Sequence, residues 1–220
     1  MLFERLIEIR DPAPHSAALN MALDEVLLSG AREPMLRLYR WQAPAVSFGY
    51  FGKYADVAIA WPGRELVRRM TGGGVVPHGE DLTYSLIVPG DHAFAGRSPR
   101  EIYRAVHEAV AKTLSAAGVV ASLACASEEH GSGVCFESPA EFDLLAHGKK
   151  IAGAAMRRTR DGLLLQGSVQ GLPALDVLGL RIPQAFGAQV IARKIAPSES
   201  SDAGSLARSK YATPGWMERV

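Results

Sequence analysis

Apolar residues recur every three or four positions in two segments, and this spacing predicts two amphipathic helices. The first covers residues 16–30 and ends on Gly30, a residue type favoured just past a helix. The second covers residues 98–118, where Ser98 and Glu101 form a capping box around Pro99. The apolar stripe of the second helix comprises Ile102, Ala105, Val106, Ala109, Val110, Thr113 and Leu114.

Short β-prone runs predict strands in the first half of the chain. Residues 36–41 and 46–50 are two such runs, separated only by Gln42, Ala43 and Pro44, so we expect neighbouring strands. Residues 66–69 and 84–88 are two more, with a glycine run in the connection between them.

The second half of the chain predicts an antiparallel meander. Its β-prone runs are residues 142–146, 150–156 and 163–169, and turn signals at His147-Gly148 and at residues 160–162 separate them. Beyond the meander we expect short helical pieces near Leu175 and over residues 184–192. From about residue 197 we expect a less ordered tail.

Composition narrows the class of protein. The chain has 220 residues, 48% hydrophobic and 21% charged, which predicts one soluble globular domain over residues 1–220. A net charge of +1 argues against a nucleic-acid partner and against an anionic membrane surface. Two cysteines, Cys125 and Cys135, suit a reducing cytoplasm and are too sparse for a disulfide framework or a zinc site. We expect Cys125, within an apolar run, to lie in the core.

Cys135 and Lys150 suggest acyl-transfer chemistry. A cysteine attacks as the thiolate, and with an ordinary pKa of about 8.5 it needs a nearby cation to ionise at neutral pH. Lys150, fifteen residues further along, is our choice for that cation. The glycines at 72–74 leave room for substrate to approach the backbone.

Several motifs, taken in order, resemble the family of lipoate-protein ligases, octanoyltransferases and biotin protein ligases. They are Asn20-Met-Ala-Leu-Asp-Glu25, Arg37-Leu-Tyr-Arg-Trp41 with Ser47-Phe-Gly-Tyr50, Arg68-Arg-Met-Thr-Gly-Gly-Gly74, His78 with Leu82-Thr-Tyr-Ser85, and Gly148-Lys-Lys-Ile-Ala-Gly153. The resemblance implies an α+β domain with a mixed, largely antiparallel sheet flanked by helices. Within the family, Cys135-Phe-Glu-Ser-Pro139 is most similar to cysteine-dependent octanoyltransferases of the LipM type.

The resemblance implies roles for individual residues. Cys135 corresponds to the nucleophile, and Lys150 to the lysine that lowers its pKa. The implied substrate-binding residues are Arg69, Gly72, Gly73, Gly74, Val75, His78, Gly153 and Ala154. For Arg69 a structural role is the alternative to substrate contact, and for His78 the alternative is a histidine that ties the loop by hydrogen bonds.

The implied reaction moves an octanoyl group from acyl carrier protein to a lysine of a lipoyl carrier domain, such as the glycine-cleavage H protein. It needs no cofactor or metal. The alternatives are an ATP- and Mg-dependent lipoate-protein ligase and a non-catalytic carrier-binding paralogue. Acidic carriers would meet a basic rim that we predict from Arg68, Arg69, Lys149, Arg157, Arg158 and Arg160.

Departures from the family pattern bear on this choice. Gly74 stands where many octanoyltransferases of the branch have Arg, and Gly79 stands where ligases usually have Asp. Gln166-Gly-Ser168 stands where many ligases have a His-Gly-Thr sequence. Members of the branch are often longer at the C terminus, which leaves acceptor docking open.

Overall fold

The computed structural model describes residues 1–125, 139–172 and 175–219. The strands are β1 Phe3–Arg10, β2 Met35–Tyr39, β3 Ala45–Phe48, β4 Glu65–Arg68, β5 Val75–Pro77, β6 Leu82–Pro89, β7 Ser122–Leu123, β8 Leu144–Ala146, β9 Lys149–Arg158, β10 Gly162–Val169 and β11 Gly187–Lys194. The helices are α1 Ala17–Gly30, α2 Tyr54–Ala60, α3 Pro99–Ala116, α4 Leu175–Gly179, α5 Ile182–Phe186, α6 Pro197–Leu206 and α7 Pro214–Met217, with a 3₁₀ turn Ala93–Gly96 and a π-helical turn Ala207–Tyr211.

The described strands form a large sheet and a small one. The large sheet has eight strands in the order β11-β1-β2-β6-β10-β9-β8-β7. In this sheet, β1 pairs parallel with both β11 and β2. The remaining neighbours, which are β2-β6, β6-β10, β10-β9, β9-β8 and β8-β7, pair antiparallel. This confirms the mixed, largely antiparallel sheet and the meander over β8, β9 and β10.

The small sheet holds the glycine-rich connection against the large one. Its order is β4-β3-β5, with β3 parallel to β4 and antiparallel to β5. Residues 36–41 and 46–50 were expected to be neighbouring strands, and this expectation is wrong because β2 pairs in the large sheet while β3 pairs in the small one. The link over residues 42–44 carries the chain between the sheets.

Helix α1 packs across the large sheet and is held there by a buried ion-pair cluster. Ser16 caps its N terminus by accepting a hydrogen bond from the Leu19 amide. The fully buried Arg37 of β2 donates to Asp24 at 2.8 Å and to Asp11 at 2.7 Å. Removing one partner of such a buried pair typically costs about 3–5 kcal/mol, so this cluster fixes α1 on the sheet.

Helix α3 covers the other face of the large sheet. Its N terminus has the predicted capping box between Ser98 and Glu101. The stripe predicted from sequence is buried except for the half-buried Ala105. The main hydrophobic core forms where this stripe meets the inward residues of the strands, which include Leu86, Leu144, Leu163 and Leu165.

The end of the chain differs from the sequence-based expectation. Residues 184–192 were expected to be helical, but α5 ends at Phe186 and β11 begins at Gly187. From residue 197 onward helices take the place of the expected irregular tail, and Ala203 and Tyr211 pack with α1 residues in one buried cluster. None of the described helices is long and apolar enough to cross a membrane.

Candidate active site

A cavity lies where the two sheets and helix α1 meet. The space between its lining atoms is about 500 Å³ with the open solvent at its mouth included, and the centres of water-sized molecules can occupy about 50 Å³ of it. Apolar surface comes from Met21, Tyr39, Trp41 and Val76, while the strands β9 and β10 contribute small residues. The remaining lining residues are Ser47, Arg69, Gly73, His78, Thr83, Lys150, Gly153, Ala154, Ala155, Gln166, Gly167 and Ser168.

Lys150 presents a buried cation to this cavity. Its Nζ lies 2.7 Å from Asp143 Oδ2, and the two side chains are 5% and 6% exposed. The same carboxylate oxygen accepts the Ala140 amide at 2.6 Å. This salt bridge places the positive charge of the lysine in the cavity wall.

A strand irregularity directs Lys150 into the cavity. The pairing of β8 with β9 shifts by one residue, because Leu144 faces Ala152 whereas Leu145 faces Lys150. Ile151 is therefore an extra residue, and it joins Ala152 in the main core although adjacent strand residues normally face opposite ways. Bulges of this kind re-aim neighbouring side chains.

Gly153 gives the lysine its space. A Cβ atom at this position would lie 2.8 Å from Lys150 Cε and 3.0 Å from both Lys150 Nζ and Asp143 Oδ1. The glycine is therefore required by the ion pair as well as by the cavity wall.

The glycine-rich loop is organised by Arg69. Its guanidinium donates to the carbonyl oxygens of Gly72 at 3.0 Å and Gly74 at 2.9 Å, and to Ser47 Oγ at 2.7 Å. Gly73, with φ +83°, lines the cavity between those two carbonyls. A side chain on Gly49 would overlap with the Gly73 carbonyl oxygen, so the loop packs directly on the backbone after β3.

His78 is held on both ring nitrogens while its ring lines the cavity. Nδ1 lies 2.8 Å from Asp81 Oδ2, and Nε2 lies 2.6 Å from Ser47 Oγ. The ring stacks on Trp41 at a centroid distance of 4.0 Å. Burial lowers the pKa of His78 in spite of the adjacent Asp81 carboxylate, so the imidazole is neutral at neutral pH.

Asp81 is a strongly hydrogen-bonded carboxylate behind His78. Its Oδ2 also accepts the hydroxyls of Thr83 at 2.7 Å and Ser168 at 2.6 Å. Burial alone would raise the pKa of Asp81, but the hydrogen bonds donated by His78, Ser168 and Thr83 outweigh it. The pKa therefore lies below its ordinary value, and Asp81 is ionised.

A polar network links the cavity to the cluster around Arg37. Gln166 donates from Nε2 to Asp24 Oδ2 at 2.8 Å and accepts at Oε1 from Thr71 Oγ1 at 2.7 Å. Asp24 in turn binds Arg37 and accepts the Ser85 hydroxyl. Asn20 accepts from Arg37 in the same cluster, whereas Glu25 binds Lys210 and Tyr211 in the C-terminal segment.

Most residues of the predicted set that the structure describes do line one cavity. These are Arg69, Gly73, His78, Lys150, Gly153 and Ala154. Gly72 and Gly74 do not line it, but their carbonyls bind Arg69. Val75 packs with Phe48 instead, and Val76 takes its place because successive strand residues face opposite sides. Cys135, the predicted nucleophile, lies outside the described residues.

Sequence reasoning assigned no site role to several polar residues, among them Asp143, Asp81 and Gln166. Asp143 is four residues before the turn at His147-Gly148, and the signal that could have found it is a carboxylate immediately before the strand paired with Lys150. Asp81 sits three residues after His78, a spacing that lets it contact the ring.

The basic rim is smaller than expected. Arg68 and Arg69 are buried, at 1% and 5% exposure, because Arg68 binds carbonyls of the C-terminal segment and Arg69 binds the glycine loop. Lys149, Arg158 and Arg160 are exposed. Cys125 is also exposed, so the expectation that it lies in the core is wrong.

The sequence model of the lipoyl protein ligase A/B catalytic domain matches residues 16–191. The chain belongs to this family. Its described fold agrees with solved family structures. A putative lipoate protein ligase from T. acidophilum with bound lipoic acid superposes with a TM-score of 0.76 at 22% identity, over 100% of both chains. A lipoate-protein ligase A bound with ATP gives a TM-score of 0.75 at 23% identity over 99% of both chains.

Curated family relatives are more similar in sequence than these structures. An octanoyltransferase LipM from Oceanobacillus iheyensis is 41% identical over 165 residues, which are 71% of this chain and 60% of the relative. Another from Kyrpidia tusciae is 37% identical over 169 residues, 70% of this chain and 62% of the relative. The chain thus spans about three fifths of the length of these relatives.

Proposed function

We propose that this protein transfers an octanoyl group from octanoyl-acyl carrier protein to a lysine of a lipoyl carrier domain, through a thioester on Cys135. The observation that carries the proposal is the buried Lys150 ammonium in the wall of a partly apolar cavity. Curated relatives at 35–41% identity named octanoyltransferase LipM support the same reaction. We place this reaction in the cytoplasm.

The chemistry has two half-reactions. In the first, the Cys135 thiolate attacks the thioester carbonyl of the octanoyl carrier, the new C–S bond forms, and the carrier thiol leaves. In the second, the acceptor amine attacks the enzyme thioester, a C–N bond forms, and the Cys135 sulfur leaves. Lys150 supplies a fixed positive charge that favours the thiolate and the oxyanion of each tetrahedral intermediate.

The cavity surface suits a medium-length acyl chain. Met21, Tyr39, Trp41 and Val76 provide apolar contacts opposite the small residues of β9 and β10. About six methylenes at roughly 0.8 kcal/mol each give about 5 kcal/mol before the cost of association is deducted. Acyl burial alone is therefore a weak anchor, and the carrier surface must contribute.

Exposed basic residues are available for an acidic carrier. Lys149 starts β9, Arg158 ends it, and Arg160 lies in the turn that follows. Charges of this kind mainly raise the association rate and make it sensitive to salt. We assign the acceptor to the class of lipoyl carrier domains, of which the glycine-cleavage H protein is one.

Intact-mass spectrometry tests the proposal. Octanoyl carrier protein alone should leave one octanoyl group on the enzyme, and hydroxylamine should remove it. Cys135→Ala should abolish this adduct, whereas Cys125→Ala, which removes the exposed cysteine, should retain it. Full transfer activity in Cys135→Ala would overturn the mechanism.

Intact mass, together with a pyrophosphate-release assay on the same proteins, separates the alternatives. An ATP-dependent ligase would release pyrophosphate with free lipoate and would do so in Cys135→Ala as well. A non-catalytic paralogue would bind carriers without acquiring the octanoyl mass. We propose that no cofactor is needed, so the adduct should form without ATP or Mg.

A further inference from the structure

Two residues of the cavity wall and a carboxylate behind them form a hydrogen-bonded chain that acylation of Cys135 does not use. Asp81 contacts His78 Nδ1 at 2.8 Å, and His78 Nε2 contacts Ser47 Oγ at 2.6 Å. Ser47 and His78 both line the cavity, and both are buried in the folded protein. This geometry is that of a carboxylate, an imidazole and a hydroxyl arranged for proton transfer.

The direction of each hydrogen bond follows from the partners. Ionised Asp81 accepts, so Nδ1 of His78 carries the proton and Nε2 is the acceptor. Arg69 has only donors, so its 2.7 Å contact to Ser47 Oγ occupies an acceptor site of that hydroxyl. The Ser47 proton therefore points at His78 Nε2, and a second lone pair of Ser47 is left for a donor in the cavity.

We propose that Ser47 and His78 form a proton relay that deprotonates the acceptor amine as it attacks the enzyme thioester. This proposal rests on the proposed function and concerns only its second half-reaction. Asp81 is the positioning residue, because it fixes the ring and its tautomer.

The step balances as follows. A neutral acceptor amine attacks the thioester carbonyl, forming the C–N bond and an oxyanion next to a positively charged nitrogen. That nitrogen passes a proton to Ser47 Oγ while Ser47 passes its own proton to His78 Nε2. The intermediate then collapses, the C–S bond breaks, and the sulfur leaves with its electron pair. The imidazolium returns its proton to solvent or to the departing sulfur.

Lys150 is unsuited to this task because it lies against Asp143 as an ammonium, which has no site for another proton. The charged and titratable groups around His78 are Asp81 on its own loop, Arg69 at the end of β4, and Tyr39 and Lys150 in the same cavity. Asp81 favours the imidazolium, while Arg69 and burial oppose it. His78 is therefore neutral and able to accept a proton at neutral pH.

The test measures the two half-reactions separately. Enzyme acylation is followed by intact mass, and transfer from purified octanoyl-enzyme to a lipoyl domain is followed in a single turnover. His78→Gln, which keeps a hydrogen-bonding side chain without a basic nitrogen, should slow transfer about 10²-fold and leave acylation within a few-fold of the wild type. Ser47→Ala and Asp81→Asn should show the same split.

His15→Gln is the matched control. His15 also pairs with a carboxylate, Asp11, at 2.7 Å, but it does not line the cavity. This variant should leave both half-reactions unchanged. Acylation in the same sample shows that each variant is folded.

The pH profile distinguishes a relay from a merely structural role. The transfer rate of His78→Gln relative to the wild type should rise toward one as the pH falls and His78 becomes protonated in the wild type. An equal loss in both half-reactions, a pH-independent ratio, or transfer at the wild-type rate would overturn the relay. If the wild type forms no thioester, the proposed function fails and the relay fails with it, a result distinct from an acylated enzyme that ignores these substitutions.

Discussion

Replacing Asp143 by asparagine tests whether the buried ammonium of Lys150 depends on its carboxylate. Asparagine keeps the volume of the side chain, and its oxygen still accepts the Ala140 amide. It removes the negative charge 2.7 Å from Lys150 Nζ in a place where both side chains are at most 6% exposed. Losing one partner of such a pair costs about 3–5 kcal/mol, because the other charge stays buried.

Urea unfolding of the wild type, Asp143→Asn, Lys150→Met and the double variant measures this effect. Asp143→Asn should lose about 3–5 kcal/mol of unfolding free energy, and Asp143→Asn combined with Lys150→Met should lose less than the sum of the two single changes. In a chain of this size the loss lowers the melting temperature by roughly 6–20 °C.

Glu141→Gln is the control, since its pair with Arg100 lies at the surface, where that arginine is 69% exposed. It should cost at most about 1 kcal/mol. The reasoning is refuted if Asp143→Asn costs no more than Glu141→Gln, or if the double variant is simply additive. Enzyme acylation should also slow about 10²-fold in Asp143→Asn, because the oxyanion loses a well-placed donor.

Three further predictions follow from neighbouring features. Gly153→Ala should displace the Lys150 ammonium, which lies 3.0 Å from the new Cβ, and reduce acylation more than tenfold. The melting temperature should fall by no more than in Asp143→Asn, because the pair is displaced and both of its charges remain. Gly30→Ala, with open space around it, is the control. Burial lowers the pKa of His107 in the folded state, so as the pH falls the unfolded chain binds the proton first. The unfolding free energy should therefore fall from about pH 7 to pH 5, and it should fall less steeply in His107→Leu. Arg68→Met removes the donors to Trp216, Met217 and Arg219 carbonyls and should cost about 3 kcal/mol or more, with faster amide deuterium exchange over residues 214–219.

The sequence predicts what local rules control. Helix α3 begins at the predicted cap Ser98, and α1 begins after Ser16, the first residue of the predicted helical segment, because capping depends on residues three positions apart. The turn at His147-Gly148 was also predictable, since both residues adopt positive φ and glycine favours that region. The meander follows from such turns.

Pairing between distant segments is what the sequence leaves open. Nothing in the short link over residues 42–44 shows that β2 and β3 join different sheets. The bulge at Ile151 depends on register with β8, so the side to which Lys150 turns could be read only from the structure. The buried position of Arg68 likewise depends on a segment about 148 residues away in the chain.

Strand β1 lies between β2 and β11, and its pairing with β11 joins Phe3 to Gly187 and Arg10 to Lys194. During synthesis the edge of β1 that β11 later covers therefore stays open until nearly all of these residues have left the ribosome. Pairing of strands so far apart in the sequence is slow, because closing the long loop between them costs chain entropy before any contact can offset that cost. The nascent chain thus exposes a strand edge until residues 187–194 emerge, and chaperone binding at β1 is the expected safeguard.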